Sequence, residues 1–343
     1  MKKTFISQQY RPKPNGAELD ENYISLAVLS AGDALFIEDH HSSINSVCIG
    51  PKNDIVLQTI EKKLIETTYV KILYLESLYQ DWSIFCRNGK IYFLIKDERL
   101  TNTVFQPKLI YFRAGFCDIK SKYAENLYYL MNILELWQGA ILCAPMEHLF
   151  NNSKLLQATH TLIPAAKNTH GLVNIPRSYI IKGSKYFEQI PKSDVIVKSL
   201  SGIRSDVVDQ HIFDHWDSHT INYLPTLFQE KIIGIDIRVH SINKKFYAKK
   251  ILSKKSTQSL RYKTQSDELQ DYSLSKKLEN FCKDVINRET LNLSGIDLME
   301  TESGSYTCFE VNPGPGWSAF HAEESMHHTF LSHIMKCLVN GKI

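Results

Sequence analysis

A strand that has to stop is written into the last part of the chain. Ser305–Asn312 (SYTCFEVN) is rich in aromatic and β-branched residues and runs directly into Pro313-Gly314-Pro315-Gly316-Trp317. Proline has no N–H for a sheet ladder, so the strand ends here, and the glycines let backbone pass close to a ligand. Side chains alternate along a strand, which puts Phe309 and Val311 on one face and Glu310 and Asn312 on the other. Gly295-Ile296-Asp297-Leu298 reads as the preceding strand and adds a second carboxylate, Asp297. Two carboxylates and an amide oxygen suit Mg²⁺, a hard ion that keeps waters and takes further ligands from substrate phosphates. The alternative is that Glu310 and Asn312 form the solvated face of an edge strand.

Upstream, strands and helices alternate. Ile44–Ile49, Asp54–Leu57, Lys90–Lys96 (KIYFLIK) and Leu109–Phe112 (LIYF) are expected as strands. Leu127, Leu130, Met131, Leu134 and Trp137 recur at spacings of three and four, which predicts a helix over Tyr123–Trp137. This pattern describes an α/β domain ending near Ala144-Pro145. A second region follows with a helix over Lys154–Leu162 and strands at Pro176–Ile181, Asp194–Lys198 and Thr226–Glu230. An antiparallel pair comes next, Asp236–His240 with Lys245–Ile251, and then a helix over Ser273–Arg288. A chain of 343 residues suits two or three packed subdomains.

Several cations sit where an anion would be met. Lys154 opens a helix, and Lys198 closes the apolar strand DVIVK, where its ammonium could reach a phosphate. Gly202 and the serines around it could turn backbone N–H groups toward an anion. Phe228-Gln229-Glu230-Lys231-Ile232-Ile233-Gly234 is apolar apart from Gln229, Glu230 and Lys231, and could offer backbone groups to an adenine edge. Between Lys244 and Lys263 there are eight basic residues and no acidic one. Lys249 and Lys250 adjoin Tyr247 and Ala248 on a strand, so one of the two must point inward or into a cleft. A triphosphate or acidic substrate would want that lining, whereas an ordinary charge run is only a solvated face.

Composition narrows the classes. A net charge of +3 is only mildly basic, which argues against a dedicated nucleic-acid binder. The start, MKKTFISQQYRPKPNG, lacks an apolar segment behind its lysines, so it does not read as a secretory signal. No run approaches the length of about 18 apolar residues that spans a bilayer. The seven cysteines are odd in number and scattered, as expected of reduced thiols in a cytoplasmic protein.

In order along the chain, Lys154, Lys198, the QE hinge, DIR, GIDL and FEVNPGPGW resemble the ATP-grasp superfamily. The match runs from about Asn151 to the C-terminus. Within it the chain looks like the branch of ribosomal-protein glutamate ligases and microviridin-type (graspetide) peptide maturases. DIRVHSINKKFYAKKILSKKSTQSLRYK carries that likeness, as does YFRAG at Tyr111–Gly115 followed by the helix with Glu125 and Trp137.

The resemblance implies an α/β (α+β) ATP-grasp fold with an N-terminal α/β pre-ATP-grasp domain over 1–150. A central subdomain would cover 151–225 and a C-terminal one 226–343. It implies that Lys154 and Lys198 bind ATP phosphates, Glu230 and Ile232 hold the adenine, and Asp236 holds the ribose. Arg238 and one of Lys249 or Lys250 would face the phosphates or the acyl phosphate, with Lys250 the catalytic choice and Lys249 grouped with nucleotide binding. Arg261 would stabilise the phosphoryl or acyl-phosphate intermediate. Asp297, Glu310 and Asn312 would hold Mg²⁺, two ions in all. The loop after Lys198 departs from the family in having a single glycine. Ser259-Leu260-Arg261 likewise lacks the maturase pattern's aspartate.

The implied reaction is ligation of a peptide carboxylate to an amine or hydroxyl, with neither nucleic acid nor membrane as partner and a homodimer among the open assemblies. A ligase of free amino acids or small acids, similar to glutathione synthetase, is the runner-up. A non-catalytic nucleotide-binding regulator is the rival class.

Overall fold

The structure, a computed structural model, describes residues 43–64, 67–78, 80–87, 90–96, 102–113, 124–143, 154–183, 195–199, 225–252 and 268–343. Lys198 and Ser199 are described by backbone alone, and Arg261 and the serine-rich loop after Lys198 lie outside the described residues. The chain divides into two compact units. The first comprises residues up to Leu142 together with Met335–Lys342, and the second comprises Cys143–Ile334 and Ile343.

The first unit holds β1 (Ser46–Gly50), α1 (Ile55–Lys63), β2 (Val70–Tyr74), β3 (Trp82–Arg87), β4 (Lys90–Lys96), β5 (Asn102–Phe105), β6 (Leu109–Phe112), α2 (Ala124–Glu135) and β7 (Ala140–Leu142). A parallel sheet runs in the order β2-β1-β6-β7, and β3-β4-β5 form a separate antiparallel sheet. The two inner strands, β1 and β6, are buried at every position, as parallel strands covered on both faces are. Val47, Ile49, Ile110 and Phe112 share a core with Trp82, Phe93, Leu130 and Leu134.

One expected strand is a helix. Asp54–Leu57 opens α1, where the Asp54 carboxylate accepts from the Leu57 backbone N–H at 2.9 Å as an N-cap. Val56, Leu57 and Ile60 then recur at helical spacing on the buried side. Four residues were too short a window to separate the two periods.

The second unit holds a short α3 (Lys154–Leu156), a π-helical segment (Gln157–Leu162) and α4 (Ile163–Lys167). Strands β8 (Val173–Asn174), β9 (Ser178–Ile181), β10 (Val195–Ser199), β11 (Thr226–Glu230), β12 (Ile235–Ile242), β13 (Lys245–Leu252) and β14 (Glu268–Tyr272) follow. The chain then forms α5 (Lys276–Arg288), β15 (Leu293–Glu300), β16 (Tyr306–Asn312), α6 (Ser318–His321) and α7 (Phe330–Asn340), the last of which belongs to the first unit from Met335 on. A six-stranded sheet runs β14-β13-β12-β15-β16-β8, and a three-stranded antiparallel sheet runs β10-β11-β9.

The β12–β13 hairpin turns on Asn243 and Lys244, whose φ values of 47° and 60° fit a two-residue turn matching the strand twist. On one face of the large sheet Ile237, Val239, Ile296, Leu298, Cys308 and Val311 meet the apolar stripe of α5. That stripe is Leu278, Phe281, Cys282, Val285 and Ile286, and Ser275 caps the helix by accepting from the Leu278 N–H at 3.3 Å. Alternation therefore sends Arg238, His240 and Asp297 to the opposite face.

The pairing of β15 with β16 slips between Asp297 and Leu298: Asp297 sits opposite Glu310, while Leu298 sits opposite Cys308. Phe309 is left over as a bulge. Hence Cys308 and Val311, three residues apart, both join the core, and Phe309 does not accompany Val311 there as an unbroken alternation required.

Candidate active site

Register partners line up across the large sheet as Asp271, Lys249, Arg238, Asp297 and Glu310, one from each of five adjacent strands. All five are charged and belong to one face. One step along the strands, the next row is Tyr247, His240, Gly295 and Asn312. Glu310 and Asn312 are therefore neighbours on one face of β16, with Asp297 beside Glu310 on β15. Glycine at 295 leaves the room that the Arg238 side chain uses, since a Cβ there would sit 2.5 Å from Nη2 and 2.9 Å from the Pro315 Cβ.

Each candidate metal ligand has a partner. Arg238 Nη1 donates to Asp297 in a short ion pair, with side-chain exposures of 10% and 35%. Lys154 Nζ stands 3.3 Å from a Glu310 carboxylate oxygen, and Asn312 Oδ1 accepts from the Gly314 N–H at 2.9 Å. Lys154 is aimed by its own helix: the buried Gln157, one turn on, donates Nε2 to the Val311 carbonyl at 2.6 Å. The Gln157 side-chain oxygen accepts from the Val311 N–H at 3.1 Å. This reciprocal amide clamp pins the helical segment beside β16. Replacing Gln157 with Leu leaves both Val311 backbone groups without these bonds. We expect a loss of about 2–3 kcal/mol in urea unfolding with an unchanged slope.

Among the described residues no three His, Cys, Asp or Glu side chains form a metal cage by themselves. Two carboxylates and an amide nevertheless fit an ion that completes its shell with phosphate and water. Lys249 shares the face of Arg238, and its Nζ bonds Asp271 at 2.7 Å and Glu324 at 2.8 Å. Lys250 does not come to this row. Its register partner is Ile237 of the core, and its Nζ pairs with Glu300 at 2.9 Å beside the Tyr272 ring. Glu230, at the end of β11, pairs with Arg177 at 3.2 Å and donates its backbone N–H to the Arg177 carbonyl at 2.8 Å. Ile232 follows in the loop to β12, and Asp236 lies two residues before Arg238 on the same strand face. The Lys198 backbone pairs with Leu227.

Behind Arg238 lies a group that no sequence pattern announced. Arg238 Nε donates to His240 Nε2 at 3.2 Å, His240 Nδ1 and His321 Nε2 are 2.9 Å apart, and His321 Nδ1 is 2.7 Å from a Glu324 carboxylate oxygen. Burial, then the Arg238, His321 and Lys249 charges, holds His240 well below the usual histidine range. Burial also lowers His321, against the pull of Glu324. Burial works to raise Glu324, yet the bonds from His321 and Lys249, with their charges, bring it down to about 2.

A carboxylate held below its unfolded value stabilises the protein above that value and loses the contribution as pH falls toward the folded one. We therefore expect folding stability to drop between pH 4.5 and about 2. Glu324→Gln should flatten that slope in denaturation curves taken at successive pH values.

The large, mostly antiparallel sheet carries carboxylates and cations on one face and shares its unit with a smaller antiparallel sheet, and the chain has the fold of solved ATP-grasp ligases. Among solved structures it is similar to the macrocyclase MdnC from Microcystis aeruginosa MRC bound with the precursor peptide MdnA. Identity is 17% and the TM-score 0.65 over 86% of this chain and 99% of that one. It is similar to the ATP-grasp ligase PsnB complexed with precursor peptide PsnA2 and AMPPNP, at 14% identity and TM-score 0.64 over 88% and 98%. A Chryseobacterium gregarium RiPP-associated ATP-grasp ligase, in complex with ADP and a leader and core peptide, gives 14% and 0.64 over 87% and 96%. No protein-family model matches the chain, and no curated protein matches it in sequence.

Proposed function

We propose that the chain is an ATP-dependent ligase that joins a peptide carboxylate to an amine or hydroxyl through an acyl phosphate. The observation that carries this reading is the charged row Lys249-Arg238-Asp297-Glu310, with Lys154 reaching Glu310. Cations and oxygen ligands from separate elements converge there as a Mg-nucleotide requires. The peptide as substrate rests on the precursor peptides bound by the similar ligases.

In this reading Asp297, Glu310 and Asn312 hold up to two Mg²⁺ ions, which neutralise phosphate charge when bound. Lys154 and Lys198 take phosphates, Glu230 and Ile232 border the adenine, and Asp236 meets the ribose. The substrate carboxylate attacks the γ-phosphorus and ADP leaves. An amine or hydroxyl then displaces phosphate from the acyl group, giving an amide or ester. Arg238 and Lys249 stabilise the charge that builds on the transferred phosphoryl group. Arg261 is assigned to the same task, whereas Lys250, on the opposite face of the sheet and paired with Glu300, is not. Positioning and electrostatics do the work, so no protein nucleophile is needed. Residues 1–150 would serve as the pre-ATP-grasp domain, with subdomains 151–225 and 226–343 closing on the nucleotide in a cytoplasmic enzyme for which a homodimer is one open assembly.

The test is mass spectrometry of acidic candidate peptides incubated with protein and Mg-ATP. Loss of water from the peptide, matched by ADP release, is the expected result. ADP release with free amino acids and none with any peptide would overturn the substrate class. No Mg-dependent ADP release at all would overturn the ligase.

A further inference from the structure

Arg238, His240, His321 and Glu324 form a chain of hydrogen bonds whose direction is set at both ends. A guanidinium has no acceptor, so His240 Nε2 must receive the Arg238 Nε proton. The His240 proton then sits on Nδ1 and is donated to His321 Nε2. The His321 proton in turn sits on its Nδ1 and is donated to the Glu324 carboxylate. Only one arrangement of protons satisfies the whole chain.

Both imidazoles are fully buried and enclosed by aromatic rings. His321 stacks on Phe330 with centroids 4.6 Å apart, and His240 lies 5.4 Å from Phe330 and 5.2 Å from Phe320. At the far end Lys249 Nζ also binds Glu324, at 2.8 Å, and so returns a cation to the face that carries Arg238. Buried polar groups are costly where apolar ones would pack as well. These two histidines sit where apolar side chains would otherwise fill an aromatic core, and they end on Arg238, the partner of Asp297.

We propose that His240, His321 and Glu324 are positioning residues that lock the Arg238 guanidinium beside Asp297 through two neutral Nδ1–H imidazoles. This rests on the reading that Arg238 faces the transferred phosphoryl group, and it adds what holds that group in place. A guanidinium fixed in advance pays no reorganisation when charge develops. Burial and the Arg238 cation hold His240 well below the usual histidine range, which agrees with the neutral ring that the hydrogen-bond geometry requires.

The test uses the full-length protein with ¹⁵N-labelled histidine and arginine. Both rings should give the shifts of neutral Nδ1–H tautomers at pH 7. The Arg238 Nε–H should exchange about tenfold faster in Glu324→Ala and stay near the native rate in Glu324→Gln, whose amide oxygen still accepts from His321. His321→Phe keeps an aromatic ring against Phe330 and should speed the same exchange, which covers the case of an alanine variant that does not fold. Either ring found as Nε2–H or charged, or native exchange in both Glu324→Ala and His321→Phe, overturns the proposal. These spectra need no substrate, so they decide the relay independently of the ligase reading. Where peptide-dependent ADP release is measurable, Glu324→Ala should lower kcat about tenfold while the KM for ATP moves less than about twofold.

Discussion

Glu310→Gln is expected to lower Mg-dependent ADP release by about 10²–10³-fold while leaving the fold intact, the scale seen when one preorganised charge-stabilising group is removed. The substitution keeps the length and shape of the side chain and removes only its charge. Glu310 lies beside Asp297 across the β15–β16 ladder, and in the proposed site its loss would leave Mg²⁺ one carboxylate and the Asn312 amide. Lys154 loses its 3.3 Å partner as well, but the carboxylate is 26% exposed on its side chain, so solvent can take its place. Thermal unfolding should be little changed, and raising Mg²⁺ should recover part of the rate. Retention of more than about a tenth of native activity would remove Glu310 from the metal site. Asp297→Asn is the poorer test, because it strips the carboxylate from Arg238, whose side chain is only 10% exposed. Removing that counter-charge from a largely buried guanidinium destabilises the protein in its own right.

The shared strand face of Glu310 and Asn312 was legible because the strand, its proline stop and the period-two alternation are all local. The same local logic misplaced Phe309. A bulge depends on how β16 meets β15, and no residue within FEVN announces that the pairing will slip between Asp297 and Leu298. For the same reason the alternation left Lys249 and Lys250 as equal candidates. Register against β12 separates them, giving Lys249 to Arg238 and Lys250 to Ile237. Asp54 is a capping residue whose strand-like neighbours hid a helix start.

The least legible part was the support behind the charged row. His240 and His321 are 81 residues apart and meet only in the fold. Gln157 acts on Val311 across 154 residues. Such partners fall into no motif, because their spacing in sequence is set by the length of everything between them. His240 did carry one clue: it follows Arg238 by two residues on a strand, which by alternation puts it on the same face.

Gly295→Ala is the second large effect, and it tests whether the position of Arg238 matters apart from its charge. The added methyl would lie 2.5 Å from Nη2, 2.8 Å from Cζ and 2.9 Å from the Pro315 Cβ. Flexible side chains usually absorb such a clash. Arg238 cannot do so freely, because Nη1 is tied to Asp297 and Nε to His240 at 3.2 Å. Either those bonds break or the turn carrying Pro315 moves, at an overpacking cost of about 1–3 kcal/mol. A displacement near 1 Å at a transition-state contact can cost about 10²-fold in rate, so ADP release should fall by that order. The loss should appear in kcat, with Mg-AMPPNP affinity reduced far less, since Lys154 lies on another element and keeps its reach. A variant with native kcat and the expected drop in melting temperature would mean that the guanidinium tolerates displacement. Arg238 would then act only as a counter-charge to Asp297.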